Sequence, residues 1–558
     1  MNDTALASVF EERAENLRQE ELQRWTAYTP RDRRTLRKLM GPGAKLLTGP
    51  RGSGKSTLLR TAYFKLLEDP ETLPAYINYA RSLALEPLFH KQANALQLFR
   101  QWILLKVVSA VFDTFSEQQR QAPPELRTLA RHARRTISEL SVGNVPTLEQ
   151  FLSPETLVIK LEQWAALTGA RRVILLMDDA AHAFSPEQQR EFFEVFRELR
   201  SRQVSCKAAV YPGITSYSPN FHVGHEAEVI EAWYRPDEEG YLANMHMLVT
   251  KRLPQELRTK LGGREELIDY LALASFGLPR GFLNMLSQLV GVDEGDTTPT
   301  RQRAELAVSE HAESVRGIFR ALAAKLPRFR FFIDVGIELD VELVKTLRTF
   351  NKNQSDPDRK ATVVGLEEPL GPQLERILNM LEYAGMVRRI GTVSRGEKGR
   401  FIRYHVHHAL VLADNALSLG RSFPLSNAVK ALSTRDAHAF ARTRAAVLLG
   451  SDFERRCKLD LPPCKKCSAP RVAEDQHFCM KCGAELTNAS VYEELLRQPI
   501  DVLPLPAAKV EGIKTHTPLR TVQDVVLDDD VQAIRRVPYV GPVWAARIRT
   551  VAEEFVSV

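Results

Sequence analysis

Short apolar runs alternate with amphipathic stretches through the first 235 residues. Four of these runs have the length of buried strands, at residues 44–48, 75–79, 171–177 and 205–211. Between them, apolar side chains recur at helical spacing, as in residues 58–67 and 96–108. Strands that alternate with helices in this way predict an α/β domain built on a parallel sheet.

A different pattern begins near residue 373. Residues 373–381 have apolar positions at helical spacing, and two strand-like runs, 387–390 and 401–406, enclose a polar loop that contains glycine. Helix, strand, loop and strand in this order predict a winged helix. The hairpin is cationic, which suits phosphate contacts, although such domains also dock proteins. Its basic residues are Arg388, Arg389, Arg395, Lys398, Arg400 and Arg403.

Length and composition set broad limits. At 558 residues the chain is long enough for three or four domains, and its 44% hydrophobic and 26% charged residues are typical of globular proteins. A net charge of +7 is compatible with nucleic-acid binding but does not indicate it. We find neither a leader peptide nor an apolar run near eighteen residues, so we expect a cytoplasmic protein without a membrane segment.

Residues 49–57 match the phosphate-binding pattern G-x-x-x-x-G-K-[ST], between a predicted strand and a predicted helix. Glycines let backbone N–H groups approach phosphate oxygens, and the next helix adds its own free N–H groups. Lys55 is expected to contact the β and γ phosphates of ATP, and the Ser56 hydroxyl to bind Mg²⁺. The predicted ATP site comprises Gly49, Pro50, Arg51, Gly52, Ser53, Gly54, Lys55, Ser56 and Thr57.

The apolar run at 173–177 ends in two acids, Asp178 and Asp179. A buried parallel strand with acids at its carboxyl end is the expected partner of a phosphate-binding loop. In that role Asp178 holds Mg²⁺ and Asp179 orients the attacking water. Asp179 is one methylene shorter than the glutamate common at this position. We therefore expect either slow hydrolysis or a switch that responds mainly to nucleotide binding.

Two later elements bear on the γ phosphate. The strand at 205–211 brings Tyr211 or Thr215 into position to sense it. Pro279 and Arg280 open a predicted helix after Gly277 and Leu278. This pair is either a simple helix terminus or the start of an element that places Arg280 over the bound nucleotide.

The phosphate loop, the acidic strand, the sensor-like strand and the Gly-Leu-Pro-Arg sequence, in this order, resemble those of AAA+ ATPases. More narrowly, they resemble the branch that contains origin-recognition-complex-like initiators and STAND signalling ATPases. The resemblance covers residues 10–410 and implies an α/β P-loop core, a helical lid and a winged helix. The chain departs from the family at Asp179, and it has no assignable arginine finger, which puts activation within a ring in doubt.

Four of the six cysteines form two C-x-x-C pairs, eleven residues apart. Each pair presents two thiolates from a tight turn, and two such turns complete a tetrahedral Zn²⁺ site. Four sulfur ligands leave no open position, so the predicted zinc is structural and the unit resembles a zinc ribbon; the alternative is free thiols. The predicted ligands are Cys464, Cys467, Cys479 and Cys482.

Residues 531–548 resemble a helix-hairpin-helix. In that family a hairpin of the type Pro-Gly-x-Gly presents N–H groups to a DNA phosphate without reading sequence. Tyr539 stands at the first glycine position here, and a residue with a Cβ resists positive φ. A helical pair that contacts protein is the alternative.

We therefore predict an ATPase switch or motor that self-associates and engages DNA, largely independently of sequence, through its C-terminal modules. The main alternative is a signalling or scaffold ATPase of the STAND type whose accessory domains bind a protein partner; a second is a nucleotide-binding structural protein without turnover. The predicted segments are an N-terminal helical segment (1–40), a P-loop core (41–235), a helical lid (236–305), a winged helix (306–420), a helical connector (421–456), a zinc ribbon (457–490), a linker (491–517) and a helix-hairpin-helix (518–558).

Overall fold

The computed structural model describes most of the chain. The described residues are 9–11, 13–79, 94–141, 144, 151–180, 186–293, 297–396, 399–420, 422–433, 440–472, 476, 478–486 and 491–556. Lys398 of the predicted wing lies outside them.

Five parallel strands form the central sheet, in the order β2-β3-β4-β1-β5. Helices cover both faces, so the middle strands are buried along almost their whole length. The predicted α/β fold is confirmed. Of the strands in this central sheet, the edge strand β5 alone escaped prediction, because three of its four residues are exposed and two are glutamates. The strands are β1 (Lys45–Thr48), β2 (Thr72–Asn78), β3 (Arg172–Asp178), β4 (Val204–Val210) and β5 (Glu228–Glu231).

The two faces of the sheet belong to two separate hydrophobic clusters. Leu46 and Leu47 are adjacent on β1, yet each joins a different cluster, since neighbouring strand residues point to opposite faces. One face packs against α1 (Gln19–Trp25), α2 (Pro30–Met40) and α3 (Lys55–Leu67). The other packs against α4 (Ala95–Glu117), α5 (Pro124–Ser141), α6 (Pro154–Leu167) and α7 (Pro186–Glu198).

Helix α4 differs from the expectation that the chain has no long apolar segment. Among the described residues, it alone is long and apolar enough to cross a bilayer. That test rests on length and composition only, and 67% of the apolar window is buried inside the protein. Its apolar side chains, among them Trp102, Ile103 and Val107, belong to the core beneath the sheet.

A group of four helices follows the sheet within the segment 236–305, which was predicted to be a lid and is called the lid below. They continue the cluster on the α3 face, so the lid and that side of the core share one hydrophobic interior. The last helix begins at Pro279, whose fixed φ suits the first helical position. The helices are α8 (Tyr241–Arg252), α9 (Gln255–Lys260), α10 (Glu265–Ala274) and α11 (Pro279–Leu289).

A second sheet lies beyond the lid, with the order β7-β8-β6-β9. The helix and hairpin predicted at 373–406 are present as α14, β7 and β8. The segment 421–456, predicted to be only helical, also contributes β9, which adds a short parallel strand to β6. The strands are β6 (Val363–Glu367), β7 (Val387–Ser394), β8 (Arg400–Val406) and β9 (Ala441–Thr443). The helices are α12 (Arg301–Lys325), α13 (Arg330–Lys352), α14 (Pro372–Tyr383), α15 (His408–Ala413), α16 (Leu425–Ser433), α17 (Ala445–Leu449) and α18 (Phe453–Arg456).

Residues 491–517, predicted to be a linker, instead contain two helices and share a hydrophobic cluster with the chain terminus. The prediction failed because the prolines of this segment alternate with buried residues such as Ile500, Leu503 and Leu505. The prolines start helices and turns here instead of marking an extended spacer. The C-terminal helices are α19 (Val491–Arg497), α20 (Ala507–His516), α21 (Val522–Val526) and α22 (Pro542–Val556).

Candidate functional site

The phosphate-binding loop joins β1 to α3 and opens on a cavity of about 510 Å³. Seven of its nine predicted residues, 51–57, line this cavity. Gly52 and Gly54 have φ angles of 77° and 89°, in the left-handed region that glycine favours. A Cβ on Gly52 would lie 2.9 Å from the Cβ of Arg280. The missing side chain therefore lets α11 approach the loop closely.

Lys55 lies buried at the base of the loop. Its Nζ donates hydrogen bonds to the carbonyl oxygens of Gly49 (2.7 Å) and Pro50 (3.0 Å). The same atom lies 3.9 Å from the centre of the Tyr211 ring. Burial lowers the pKa of Lys55 to about 7, although the carboxylates of Asp179 and Asp178 act in the opposite direction. Negative charge brought into the cavity would favour the protonated lysine.

Ser56 and Asp178 meet below the loop. The Asp178 carboxylate is buried at the end of β3, accepts a hydrogen bond from the Tyr76 hydroxyl (2.7 Å) and also bonds to the Ser56 side chain. Burial, and then the charge of Asp179, raise the pKa of Asp178 to about 7. A hydroxyl and a carboxylate are hard oxygen ligands of the kind that Mg²⁺ prefers. These two residues thus fit the predicted metal site.

Asp179 adopts a left-handed conformation, with φ of 52°, and its side chain lines the cavity. The Tyr211 hydroxyl donates a hydrogen bond to Asp179 Oδ1 (3.3 Å). Of the two sensor candidates, Tyr211 lines the cavity, whereas Thr215 bonds the backbone of Tyr211 through its hydroxyl. The structure therefore brings Lys55, Asp179 and Tyr211 together.

Arg280 reaches the same cavity from the start of α11, as one of the two interpretations of the Pro-Arg pair requires. Its Nη1 lies 2.9 Å from the carboxylate of Glu554, at the end of α22. The same carboxylate lies 3.5 Å from Arg51 of the phosphate loop and 4.0 Å from Arg13. Burial alone would raise the pKa of Glu554, but Arg280, Arg51 and Arg13 lower it to about 2.

The rest of the cavity wall comes from the N-terminal segment, the lid and the C-terminal helices. Its apolar part includes Leu22, Trp25, Met245 and Leu248, which suits a flat aromatic ring such as a nucleotide base. Residues 26–28, just upstream of α2, also line it. In the basic run 31–38, by contrast, most of the charged side chains face solvent and not the cavity.

Sequence reasoning missed several charged residues of this site, among them Arg13, Glu15 and Glu554. Burial raises the pKa of Glu15, and the negative charge of Asp179, which follows β3, raises it further. Arg13 and Glu554 are separated by most of the chain. No local pattern marks either of them, so only the fold could reveal their meeting.

The four predicted zinc ligands come together in the C-terminal half. All four sulfur atoms lie within 4.8 Å of one another. The Sγ atoms of Cys464 and Cys482 are 3.6 Å apart, and those of Cys467 and Cys479 are 3.5 Å apart. Tetrahedral Zn–S bonds of about 2.3 Å place neighbouring sulfurs about 3.8 Å apart, so the cluster fits Zn²⁺. Backbone N–H groups of the second turn also lower the pKa of Cys479 to about 6, which favours a thiolate.

The predicted DNA-binding hairpin precedes α22. Tyr539 adopts a positive φ of 60°, as the glycine of the motif would, and it is 75% exposed. The first N–H groups of α22, those of Val543 (3.2 Å) and Trp544 (2.8 Å), donate to the carboxylate of Asp293 beside the lid. The carboxylate of Asp293 therefore accepts the hydrogen bonds that a helix-hairpin-helix would donate to a DNA phosphate.

The predicted cationic wing is only partly exposed. Arg389, Arg395 and Arg400 face solvent on the β7–β8 hairpin. Arg388 does not: it is 4% exposed and bonds Glu231 and the carbonyl oxygens of Trp233 and Tyr234. It joins the wing to the core and is unavailable to DNA. The prediction failed because Arg388 and Arg389 are neighbours on one strand and therefore point to opposite faces, of which one packs against the core.

Three histidines lie together near the end of β8: His405, His407 and His408. The strand ends at Val406; His407 then caps the start of α15, and His408 is the first residue of that helix. The Nε2 atoms of His405 and His408 are 2.9 Å apart. Burial is the main cause that lowers the pKa of all three histidines, which favours neutral rings packed in the core. Within the described residues, the cysteines alone form a metal-type group.

Comparison with known proteins gives a limited result. No protein-family model and no curated protein matches the chain. Among solved structures, a Walker-type ATPase of Pyrococcus abyssi is similar at 15% identity with a TM-score of 0.39, over 74% of this chain and 99% of that one. Cdc6p from Pyrobaculum aerophilum is similar at 13% identity and 0.31, over 75% and 98%. The Orc1 protein of Aeropyrum pernix, solved in complex with DNA, is similar at 16% and 0.32, over 71% and 96%. At TM-scores below 0.5, these likenesses carry no conclusion about activity.

Proposed function

We propose that this protein is an AAA+ ATPase that binds Mg²⁺-ATP, hydrolyses it slowly and engages DNA through its C-terminal modules. One observation carries the ATPase part. The loop 51–57, the Ser56–Asp178 pair, Asp179 and Arg280 converge on a single cavity large enough for a nucleotide.

Each residue has a role in this proposal. Lys55 exchanges its bonds to loop carbonyls for bonds to phosphate oxygens, and the N–H groups of the loop donate to the same phosphates. Ser56 and Asp178 would hold Mg²⁺, which neutralises phosphate charge when bound. Asp179, oriented by Tyr211, accepts a proton from the attacking water. The shorter reach of an aspartate is the reason to expect slow turnover.

The DNA part of the proposal has its own support. The exposed arginines of the β7–β8 hairpin offer contacts to phosphates but none that read bases. The hairpin before α22 would add backbone N–H groups only after Asp293 releases them. Such binding depends on charge, so its affinity should fall steeply with added salt.

The test is phosphate release with and without double-stranded or single-stranded DNA, in low and moderate salt. Lys55→Ala serves as the blank because it removes the main phosphate contact. We expect turnover that DNA stimulates in the parent and that vanishes in the blank. Equal phosphate release by the parent, Lys55→Ala and Asp179→Asn would end the ATPase proposal.

A signalling or scaffold ATPase that binds a protein is the second candidate. The observation that favours it is a group of exposed apolar side chains around the zinc unit: Val472 is 71% exposed, Phe478 63% and Met480 85%. ATP turnover that DNA does not change, together with no measurable DNA binding at low salt, would favour this candidate over the DNA-binding one.

A further inference from the structure

The C-terminal helix α22 sends a carboxylate into the phosphate end of the nucleotide cavity. Glu554 lies beside the phosphate loop, where its oxygens are 2.9 Å from Arg280 and 3.5 Å from Arg51. Both arginines belong to elements that the proposed function assigns to phosphate binding. A carboxylate and a phosphate oxygen offer guanidinium groups the same kind of partner.

Three arginines lie around this carboxylate. Arg13, Arg51 and Arg280 all lower the pKa of Glu554, and Arg13 also pairs with Glu553 (2.7 Å). A group with more negative charge than one carboxylate would interact more strongly with these guanidinium groups. The terminal phosphates of ATP carry that additional charge.

The position of α22 depends on contacts at both of its ends. At its start, Val543 and Trp544 donate to Asp293 beside the lid, and at its end Glu554 contacts the phosphate loop and α11. Along the helix, Trp544, Ile548 and Phe555 join the C-terminal hydrophobic cluster. The helix thus links the C-terminal unit to the lid and to the nucleotide cavity.

We propose that Glu554 occupies the place of the terminal phosphate of the nucleotide, and that ATP binding displaces the carboxyl end of α22 from the cavity. This inference rests on the proposed function of the site. The ligand class is a nucleoside triphosphate, because the proposal places its terminal phosphate where the carboxylate of Glu554 meets Arg280.

The displacement has two consequences. Apparent ATP affinity is reduced by the fraction of molecules in which α22 is docked. Movement of α22 also draws its first N–H groups away from Asp293, so ATP controls whether the preceding hairpin can meet a DNA phosphate.

The test compares Glu554→Gln with Glu511→Gln in the full chain. Glutamine keeps the shape of the side chain but removes its charge. Glu511 is the control because it faces solvent on α20, in the same C-terminal unit, and does not line the cavity. We expect Glu554→Gln to tighten ATP binding by about tenfold or more, with AMP binding changed by less than about twofold. Glu511→Gln should leave both affinities within about twofold.

Amide hydrogen exchange on the unmodified protein supplies a second readout that does not depend on a variant folding. Saturating Mg²⁺-ATP should speed exchange in residues 542–556, and AMP should not. Equal ATP affinity in the parent and both variants, or protection of 542–556 that ATP leaves unchanged, would overturn the displacement. ATP binding that Lys55→Ala abolishes would in that case still support the proposed function. If neither the parent nor Glu554→Gln binds ATP, both proposals fall.

Discussion

Proton exchange on ATP binding gives a quantitative test of the site, because two buried groups titrate near neutrality. The pKa of Lys55 lies at about 7, lowered chiefly by burial, and that of Asp178 also lies at about 7, raised by burial and by Asp179. Phosphate beside Lys55 favours its protonated form, and a divalent cation beside Asp178 favours its ionised form. Binding of Mg²⁺-ATP should therefore add a proton to one group and remove a proton from the other.

The sign of the net exchange depends on pH. At pH 8 about nine-tenths of Lys55 is neutral and Asp178 is mostly ionised already, so binding should take up about 0.8 proton. At pH 6 the situation reverses: Lys55 is mostly charged and Asp178 mostly protonated, so binding should release about 0.8 proton. The crossover lies near pH 7.

Titration calorimetry in buffers of different ionisation enthalpy measures this exchange, after correction for the ionisation of the nucleotide itself. Two variants separate the groups. Lys55→Arg stays charged throughout and should lose the uptake at pH 8, and Asp178→Asn should lose the release at pH 6. A proton count that has the same sign at pH 6 and pH 8 would refute the assignment of these two groups to the nucleotide site.

Three other variants test separate parts of the structure. Cys479→Ser should lower the zinc content, measured by atomic absorption, from about one ion per chain to almost none, because a hydroxyl is a poor zinc ligand; full retention would contradict the four-sulfur site. Asp179→Asn should slow phosphate release by about 100-fold or more while ATP affinity stays within about threefold, since only the proton acceptor is lost. Gly336→Ala should lower the free energy of unfolding in urea by roughly 1–3 kcal/mol, because the new Cβ would overlap the buried ring of Phe319; helix propensity alone predicts the opposite sign, so stabilisation would contradict this packing.

The central sheet was predictable where burial leaves a simple pattern. Strand β3 reads as a continuous apolar run because both of its faces are covered, and the loop 49–57 is a local motif whose geometry depends on adjacent residues. The edge strand β5 carries glutamates and a mostly exposed face, so its sequence does not differ from that of a loop. The strand β6 also escaped prediction, although its middle residues are buried.

The charged part of the site was only half predictable, for a related reason. Lys55, Ser56, Asp178 and Asp179 lie next to strand and helix ends that the sequence marks. Glu554 lies on a helix near the other end of the chain, and its meeting with Arg51 depends on how the C-terminal cluster packs against α12. The wrong prediction of a linker at 491–517 prevented us from foreseeing this packing, because a flexible spacer would not fix the position of α22.

A structure of the full chain with Mg²⁺ and a slowly hydrolysed ATP analogue tests the central claim most directly. The proposal predicts the triphosphate against residues 51–57, the metal between Ser56 and Asp178, and Arg280 on the terminal phosphate in place of Glu554. An analogue bound elsewhere, or none bound at a concentration that saturates other ATPases, would contradict the nucleotide site on which the proposed function depends.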